Sequence, residues 1–297
     1  MFKILNKQLI ANGVKRMDLK AETIARRARV GQFVMLMADE RSARLAFPIL
    51  EADARKGTVS IAFEETNVST KRLGNLQIGD SVPMVVGPLG MPMSFNDVRK
   101  GNFIACVGYG LGIAQVLPVC RELKRLEYRV LGIIGAKTKR SLLLENQMRL
   151  TCDQIMITTD DGTHERKGFV TGSLREMMSH YRIKLVVCSA PVMIAQAVAQ
   201  VTKEKSIRTL VSLNTLMVDG TGMCGSCRVK VGGHNVLTCV DGPTFDAHEV
   251  DYKDLTVRTQ HYQIQETWHN PSSLSNLRSE ESSTLTRWLG DFLKSKP

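Results

Sequence analysis

The stretch Asp219–Cys239 reads DGTGMCGSCRVKVGGHNVLTC and holds three of the seven cysteines of the chain. Cys224 and Cys227 form a C-x2-C pair, and Cys239 follows after eleven residues that have the pattern of a short hairpin. The return strand of such a hairpin brings Cys239 back beside the pair. Glycines around the pair let backbone amides approach the sulfides of an inorganic cluster closely. The stretch therefore predicts a set of metal ligands.

Three interpretations of this stretch are open. The first is a glycine-rich surface turn with incidental thiols, and the second is a zinc site with three thiolates and one carboxylate. The third is an iron–sulfur site, because the plant-type [2Fe–2S] pattern is C-x4-C-x2-C with a distant fourth Cys, and Asp219 stands at its first position. Clustered cysteines in a chain with no secretory signal favour metal or redox chemistry. His234 in the GGHN turn is typical of a solvated side chain, so the iron–sulfur interpretation is favoured.

The wider sequence around the cysteines resembles a known family. SLNTLMVDGTGMCGSCRVKVGG, followed by TCVDGPTFDAHEVD, is similar to the cluster-binding end of the small subunit of NADH-dependent ferredoxin–NADP oxidoreductase, also called sulfide dehydrogenase beta subunit. It also resembles the electron-transfer subunit of dihydroorotate dehydrogenase. The resemblance implies a [2Fe–2S] cluster held by Asp219, Cys224, Cys227 and Cys239. The first ligand is Asp in the former group and Cys in the dihydroorotate subunit, so Asp219 favours the former.

Length and composition indicate a cytosolic protein of more than one domain. The chain has 297 residues, 43% of them hydrophobic, which is enough for two packed domains and a small appendage. Polar residues interrupt every apolar run near the N-terminus, and no stretch approaches the roughly 20 apolar residues of a membrane-spanning helix. The cysteines outside the cluster stretch, Cys106, Cys120, Cys152 and Cys188, fit a reducing compartment as buried thiols.

The net charge of +11 and the pI of about 9.4 call for an anionic ligand or partner. Nucleic acid is disfavoured, because the basic residues are scattered without interleaved aromatics, and aromatic residues make up only 5% of the chain. Dinucleotides and an acidic ferredoxin-like protein are also anions. The charge is therefore consistent with a cofactor-binding protein.

Residues 1–96 are predicted to form a small antiparallel β-barrel. Short alternating runs such as QFVMLMA, GTVSIAFEE and SVPMVVG are separated by turn residues. The resemblance to ferredoxin-reductase-like flavoproteins implies that this domain binds FAD. It assigns Arg44 to the flavin diphosphate, Leu45, Ala46, Phe47 and Pro48 to the isoalloxazine, and Ser69 and Thr70 to the start of a short helix that faces the pyrophosphate.

Two positions depart from the flavoprotein pattern. Relatives have Ser or Thr where Pro48 stands and Gly where Asn67 stands, so the hydrogen bonds to the flavin are expected to differ. From the residues alone, Ser69 is an N-cap. The segment GPLGMP closes the domain, with Gly87 and Gly90 either as the domain hinge and part of the cofactor site or as plain turn glycines.

Residues 97–212 are predicted to form a parallel α/β domain. NFIACVG, RVLGIIGA, QIMITTDDG and KLVVCSA read as buried strands that alternate with helical segments such as QVLPVCRELKRL. Gly108, Gly110 and Gly112 follow the first strand, at the carboxyl edge where an open α/β sheet binds nucleotides. They do not form the G-x-G-x-x-G fingerprint, so the signal is weak by itself.

The family resemblance adds detail to this edge. It implies that the glycine loop holds a nicotinamide dinucleotide against the flavin, and that Asp160 and Asp161 belong to the site, although either could only cap a turn. Residues 188–193 are the counterpart of C-G-P-x-x-M. Cys188 is then either a lid near the nicotinamide or a buried thiol. Ser189 and Ala190 replace the usual Gly and Pro, and a Cβ at position 189 is expected to weaken or reposition the nicotinamide.

The choice between the two dinucleotides depends on Lys137, Lys139 and Arg140, which follow the strand RVLGIIGA. Three cations could pair with a 2′-phosphate, or they could be a solvated helix start. The family resemblance favours NAD(H). We therefore predict NADH as the preferred donor, with unusually good tolerance of NADPH.

The last part of the chain is predicted to hold a [2Fe–2S] module at residues 213–255 and a linker with a C-terminal helix at residues 256–297. The segment from Asn270 to Ser283 is rich in Pro, Ser and Asn. An apolar helical face follows, made of Leu285, Trp288, Leu289, Phe292 and Leu293. So short a helix must dock on its own chain or on a partner.

The sequence thus predicts an electron-input subunit of a cytoplasmic flavoenzyme complex. NAD(P)H would reduce FAD, and electrons would pass through the cluster to a larger iron–sulfur flavoprotein subunit in a heterodimer. The resemblance further implies electron bifurcation toward ferredoxin and a second nucleotide. No residue is assigned a catalytic role, because the protein holds and tunes its cofactors. The alternatives are the dihydroorotate dehydrogenase subunit and a non-catalytic redox sensor, which Pro48, Asn67 and Ser189 favour.

Overall fold

A computed structural model describes the backbone of residues 1–268 and the side chains of residues 1–260. The compact unit described below ends at Leu255. Within the described part of the chain, no helix is both long enough and apolar enough to cross a membrane. The predicted linker and the apolar helical face at residues 270–297 lie outside the described residues.

The N-terminal part of the chain folds into two antiparallel sheets that share one core. The strands are β1 (Phe2–Ala11), β2 (Val14–Lys20), β3 (Phe33–Met37), β4 (Leu45–Pro48), β5 (Glu51–Asp53), β6 (Thr58–Glu64), β7 (Ser81–Val82) and β8 (Met84–Leu89), and the helices are α1 (Glu22–Arg27) and α2 (Val68–Asn75). The larger sheet has the order β5-β6-β2-β1-β7, and the smaller one has the order β4-β3-β8. The antiparallel β domain predicted from the sequence is confirmed.

Strand β6 shows why this sequence forms a buried strand. Val59, Ile61 and Phe63 alternate along the strand and all enter the core of the β domain. Ala62, between two of them, points to the opposite face and joins the core of the following domain. Because alternate side chains of β6 enter different cores, this strand packs against both domains and joins them.

The middle of the chain forms a parallel sheet with helices on both faces. Its strands are β9 (Phe103–Tyr109), β10 (Arg129–Ala136), β11 (Gln154–Thr159), β12 (Arg166–Lys167), β13 (Ile183–Ser189) and β14 (Thr209–Ser212), and its helices are α3 (Gly112–Arg125), α4 (Glu145–Thr151), α5 (Val170–His180) and α6 (Val192–Lys203). A short 3-10 turn spans Lys139–Ser141. The strand order is β12-β11-β10-β9-β13-β14. The predicted parallel α/β domain is confirmed.

The cysteine-rich segment adds three strands and a helix. They are β15 (Arg228–Val231), β16 (His234–Leu237), β17 (Thr244–Asp246) and α7 (Tyr252–Trp268). Strands β15 and β16 form the predicted hairpin, and its turn residues Gly232 and Gly233 have φ of +56° and +82°. Both angles suit the tight hairpin turn that favours glycine. Strand β17 pairs antiparallel with β14 and extends the parallel sheet to seven strands.

Candidate functional site

The carboxyl edge of the parallel sheet gathers most of the residues predicted to bind the dinucleotide. Strand β9 ends at Tyr109 and leads through Gly110 into α3, β11 ends just before Asp160, and β13 ends at Ser189. Because parallel strands present their carboxyl ends at one edge, these positions lie along a single crevice. The edge thus brings together a glycine turn, the Asp160 carboxylate and the buried Ser189 hydroxyl.

The glycine loop is compact because two of its glycines, Gly108 and Gly112, allow neighbouring backbone atoms to approach closely. A Cβ built on Gly112 would lie 2.0 Å from the carbonyl oxygen of Ser189, and one built on Gly108 would lie 2.9 Å from Cα of Ile113. Gly110 instead has φ of +55° and open space around it. At this edge Gly112 allows the start of α3 to approach the end of β13, where Ser189 faces it.

The Ser189 hydroxyl is part of a hydrogen-bonded chain that the sequence did not suggest. It donates to Oε1 of Gln115 at 2.7 Å, and Nε2 of Gln115 donates to Oδ1 of Asn214 at 2.9 Å. Ser189 is only 1% exposed. A buried hydroxyl needs such a partner, since leaving it unpaired costs about 1–3 kcal/mol. The departure from the usual glycine is therefore accommodated by Gln115.

Asp160 and Asp161 have different environments. The hydroxyl of Tyr109 donates to Oδ2 of Asp160 at 2.5 Å, while Oδ1 of Asp160 is buried and has no hydrogen-bond partner among the described residues. Burial raises the pKa of Asp160, and burial together with the bond to Asp160 raises the pKa of Tyr109. Asp161 accepts from the backbone N–H and hydroxyl of Thr163. Asp161 therefore caps a turn, and Asp160 is paired with Tyr109 at the carboxyl edge of the sheet.

Cys188 is buried on β13. It is 1% exposed, and burial raises the pKa of its thiol to about 12. The thiol thus presents almost no surface to a ligand, and it packs in the main core of the α/β domain. Its assignment as a nicotinamide contact stays a prediction.

The residues predicted to hold the flavin lie on β4 and on the loop before it. Leu45–Pro48 pairs antiparallel with β3, with Pro48 opposite Phe33. Arg44 is exposed and forms no ion pair with any carboxylate of the described residues. The N–H of Ala43 donates to Oγ of Ser69 at 3.3 Å. The loop that carries Arg44 and the start of α2 are therefore neighbours, as a shared phosphate site requires.

The start of α2 differs from the prediction. The N-cap is Asn67 rather than Ser69: Oδ1 of Asn67 accepts from the N–H of Thr70 at 2.9 Å, and Oγ1 of Thr70 accepts from the N–H of Asn67 at 3.0 Å. This reciprocal pair satisfies two donors of the first turn. The Thr70 hydroxyl is thereby engaged within the helix, whereas the N–H groups of Val68 and Ser69 come first in the helix and remain the natural anion donors.

Gly87 and Gly90 lie at the end of β8. Gly87 is within the strand, and a Cβ there would lie 2.9 Å from Cγ1 of Val34. Gly90 follows the strand with φ of +76°, and a Cβ there would lie 2.9 Å from the carbonyl oxygen of Gly242. The N–H of Met91 donates to the same oxygen at 2.6 Å. This end of the β domain thus packs directly on the cysteine-rich segment.

Three of the four predicted cluster ligands lie in the turn-rich stretch before β15, and Cys239 follows β16. Sγ of Cys227 and Sγ of Cys239 are 3.3 Å apart and buried, which confirms that the hairpin returns Cys239 to the pair. Cys224 is exposed, and its Sγ lies 3.1 Å from the hydroxyl of Ser226, which lowers the pKa of the thiol. The carboxylate of Asp219 accepts from the N–H of Cys224 at 2.9 Å. Asp219 is therefore linked to the backbone of Cys224, and Cys227 is in contact with Cys239; residues 219–239 are called the cysteine loop below.

The loop fits an iron–sulfur cluster in its donor set and its backbone. Gly220, Gly222 and Gly225 have φ of +78°, +90° and +67°, so the loop can turn its amides toward the sulfurs. The backbone N–H of Gly222 bonds to Cys239, although burial of that thiol has the larger effect and raises its pKa to about 12. Buried thiols of this kind ionise when a metal supplies positive charge.

One hydrophobic cluster joins the cysteine loop to the strands predicted to carry the flavin. It consists of Phe33, Met35, Met217, Cys227 and Cys239, with Ala46, Leu89 and Leu237 packed against it. A Cβ on Gly220 would lie 2.7 Å from Cγ of Met35, so the two parts are in direct contact. Cys227 and Cys239 therefore belong to an apolar cluster against which Ala46 of β4 packs.

The two sheet domains and the cysteine loop define a ferredoxin-reductase-like protein with an iron–sulfur binding domain. Residues 214–251 match the iron–sulfur cluster binding domain of dihydroorotate dehydrogenase B. A dihydroorotate dehydrogenase B (NAD(+)) electron transfer subunit homolog of Thermotoga maritima is 32% identical to the chain, covering 89% of it and 92% of that protein. The chain belongs to the family of these electron transfer subunits and their homologues.

Two further similarities extend over the same length. An uncharacterized protein in the adh 3′ region of Clostridium beijerinckii is 37% identical, covering 90% of this chain and 92% of that protein. A chain in the solved structure of an NADH-dependent reduced ferredoxin–NADP oxidoreductase, described in connection with flavin-based electron bifurcation, has a TM-score of 0.84 at 29% identity, covering 90% of this chain and 95% of that chain. The protein is thus an oxidoreductase subunit with a role in electron transfer.

Proposed function

We propose that this chain carries electrons from NADH through FAD to a [2Fe–2S] cluster and on to a larger iron–sulfur flavoprotein subunit. The observation that supports this path is the apolar layer in which Cys227 and Cys239 pack against Met35, with Ala46 on the strand assigned to the isoalloxazine. Such contact keeps a flavin and a cluster within electron-transfer reach and excludes water between them.

The residues of the chain bind and orient the cofactors. FAD, when bound, supplies the conversion of a two-electron hydride into single electrons. Arg44 and the first N–H groups of α2 hold the diphosphate, since a cation and a helix N-terminus both favour anions. The glycine loop holds the nicotinamide end of the dinucleotide beside β4, and the buried Ser189 supports this loop from β13. Asp219, Cys224, Cys227 and Cys239 hold the cluster.

A partner subunit is supported by exposed apolar residues around the cysteine loop. Leu216, Val218, Met223 and Val240 are 41%, 49%, 90% and 43% exposed. Large side chains that surround a functional loop are typical of a protein interface. We infer that the larger subunit covers this rim in a heterodimer, and that ferredoxin receives electrons through that subunit. The cytoplasmic location stays a prediction.

The second candidate is the electron-transfer subunit of a dihydroorotate dehydrogenase. It is favoured by the relatives that carry this name and by the match at residues 214–251. Asp219 in place of Cys favours the ferredoxin–NADP oxidoreductase, and bifurcation would follow from that assignment. A non-catalytic redox sensor is the remaining alternative.

Reduction of an artificial dye by NADH separates an enzyme from a sensor. We expect the purified, cofactor-loaded chain to catalyse dye reduction with many turnovers. A chain that retains FAD and cluster but passes no electrons from either nucleotide to the dye would support the sensor instead.

Replacement of Arg44 by alanine should weaken FAD retention about tenfold or more, because a charge-assisted hydrogen bond to a phosphate is lost. The measurement is the FAD content after gel filtration at low protein concentration. Arg41→Ala is the matched control, since Arg41 is exposed on the same loop. Equal flavin content in the two variants would show that Arg44 is not a ligand.

Asp219→Cys should keep the cluster but shift its reduction potential, because a thiolate replaces a harder oxygen donor. We expect the potential to fall by tens of millivolts, on the order seen when ligand charge and donor type change. A redox titration followed by EPR measures it. An unchanged potential would indicate that Asp219 serves the loop only through its bonds to the N–H groups of Thr221 and Cys224.

The dinucleotide preference can be read from flavin reduction rates. Lys139 and Arg140 lie in the 3-10 turn after β10, and the N–H of Lys139 donates to the hydroxyl of Thr163 at 2.9 Å. We expect NADH to reduce the flavin faster than NADPH, with NADPH within about tenfold because the nearby cations tolerate a 2′-phosphate. A preference for NADPH that collapses in Arg140→Asp would overturn this assignment.

A further inference from the structure

Gln115 is a polar side chain at the junction of the two proposed cofactor sites. It lies in the first turn of α3, directly after the glycine loop. Its amide oxygen accepts from the Ser189 hydroxyl, and its amide nitrogen donates to Asn214. The two partners are 74 and 99 positions away in sequence, so the fold itself fixes the orientation of this amide.

The same side chain lines a small cleft between the β domain and the α/β domain. The cleft lies between the end of β4 and the start of α3. Its walls are formed by Pro48, Leu50, Ala62, Leu111, Ala114 and Gln115. Five of these six residues are apolar, so the Gln115 amide is the polar group that a ligand in the cleft would meet.

The hydrogen bonds of Gln115 leave part of its capacity unused. A primary amide has two N–H donors and an oxygen with two lone pairs. The bond to Asn214 uses one donor, and the bond from Ser189 uses one lone pair. Among the described residues no other partner bonds to this amide, so one donor and one acceptor remain on the same planar group, which matches another primary amide.

We propose that Gln115 recognises the carboxamide of the nicotinamide ring, with Ser189 and Asn214 as positioning residues. The inference rests on the proposed function, in which Pro48 borders the flavin and the glycine loop holds the dinucleotide. A nicotinamide that stacks beside Pro48 brings its carboxamide to this wall of the cleft. Gln115 is then a specificity-determining residue for the hydride donor.

The proposal also explains the serine at the end of β13. Gly112 and Ser189 are in close contact, so the serine hydroxyl is held within reach of the first turn of α3. A glycine at position 189 would have no hydroxyl to orient Gln115. Ser189, which was expected to disturb nicotinamide binding, therefore supplies the hydroxyl group that orients the Gln115 amide.

The test compares three ligands on the cofactor-loaded chain by calorimetry: NAD+, 3-acetylpyridine adenine dinucleotide, which lacks the amide NH2 group, and ADP-ribose, which lacks the ring. We expect the parent to bind NAD+ about tenfold more tightly than the acetylpyridine analogue, because one hydrogen bond to the half-buried amide of Gln115 is lost. In Gln115→Leu, the affinity for NAD+ should fall about tenfold and the preference should disappear. Affinity for ADP-ribose should stay the same.

Three further variants make the result specific. Ser189→Ala should lower the preference about threefold, because Gln115 loses one orienting bond but keeps its amide. Gln154→Leu, an exposed position at the start of β11, is the control for the substitution itself. Gln115→Met keeps the length of the side chain and serves the same test if Gln115→Leu loses its FAD.

The outcomes separate the inference from the function on which it rests. A preference for NAD+ that survives in both Gln115 variants would overturn the role of Gln115. Equal weakening of NAD+ and ADP-ribose would show that Gln115 only supports the fold of the loop, which also overturns it. A parent chain that binds none of the three ligands would contradict the dinucleotide site itself, and with it both proposals.

Discussion

In Cys227→Ser, the iron–sulfur cluster should be lost while NADH still reduces the flavin. Cys227 is buried and its Sγ lies 3.3 Å from Sγ of Cys239, and both thiols belong to the proposed ligand set. The C–O bond of serine is shorter than the C–S bond of cysteine, so a serine oxygen at this buried position reaches an iron atom poorly. Electron delivery to a one-electron acceptor should fall by at least about 100-fold, because the cluster is the exit path.

The control for this variant is Cys120→Ala. Cys120 is fully buried in the α/β domain, away from the cysteine loop, so its loss should leave the cluster intact. Iron and sulfide content, together with stopped-flow reduction of the flavin, give the two readouts. A full cluster complement in Cys227→Ser would remove Cys227 from the ligand set.

The second large effect is expected from Gly112→Ala. The added Cβ would lie 2.0 Å from the backbone oxygen of Ser189, and neither backbone can move without separating α3 from β13. We expect a loss of about 3 kcal/mol or more in the free energy of unfolding, the upper range for overpacking. Dinucleotide affinity should fall with it, because the crevice edge is displaced.

Gly172→Ala is the matched comparison. Gly172 is also helical, within α5, and a Cβ there would meet nothing within 4 Å. Alanine is the better helix former, so this variant should gain about 0.5–1 kcal/mol. Urea unfolding of both variants, with equal FAD loading, measures the difference. Equal stability of Gly112→Ala and the parent would show that the contact with Ser189 relaxes at little cost.

The parts of the fold that could be predicted carry local patterns. The cysteine hairpin was readable because Gly232 and Gly233 force a tight turn between two alternating strands. The strands of the parallel sheet were readable because they are continuous apolar runs followed by turn residues. In both cases a few neighbouring residues are sufficient to predict the element.

The parts that could not be predicted depend on contacts between distant residues. Strand β17 has three residues and forms only by pairing with β14. Helix α7 begins where the family resemblance ends, and its sequence has no clear apolar period that would have predicted a helix. Asn67 and Ser69 are both good N-caps, and the choice was decided by the reciprocal bonds of Asn67 with Thr70. A polar residue three positions after Asn67 was the available signal for that capping box.

The candidate site shows the same division. The spacing of Cys224, Cys227 and Cys239 is local, and it was sufficient to predict that the hairpin returns Cys239 to the side of Cys227. Gln115 was missed because its role arises from Ser189 and Asn214, which no pattern in the sequence connects. The Tyr109–Asp160 pair likewise joins the ends of β9 and β11 across the end of β10.

The most direct test of the proposed electron path is EPR spectroscopy of the anaerobically purified chain before and after addition of NADH. We expect a brown protein that contains FAD and that develops the S = 1/2 signal of a reduced [2Fe–2S] centre when NADH is added. One zinc and no sulfide per chain, or a cluster that only dithionite and never NADH can reduce through the bound flavin, would contradict it.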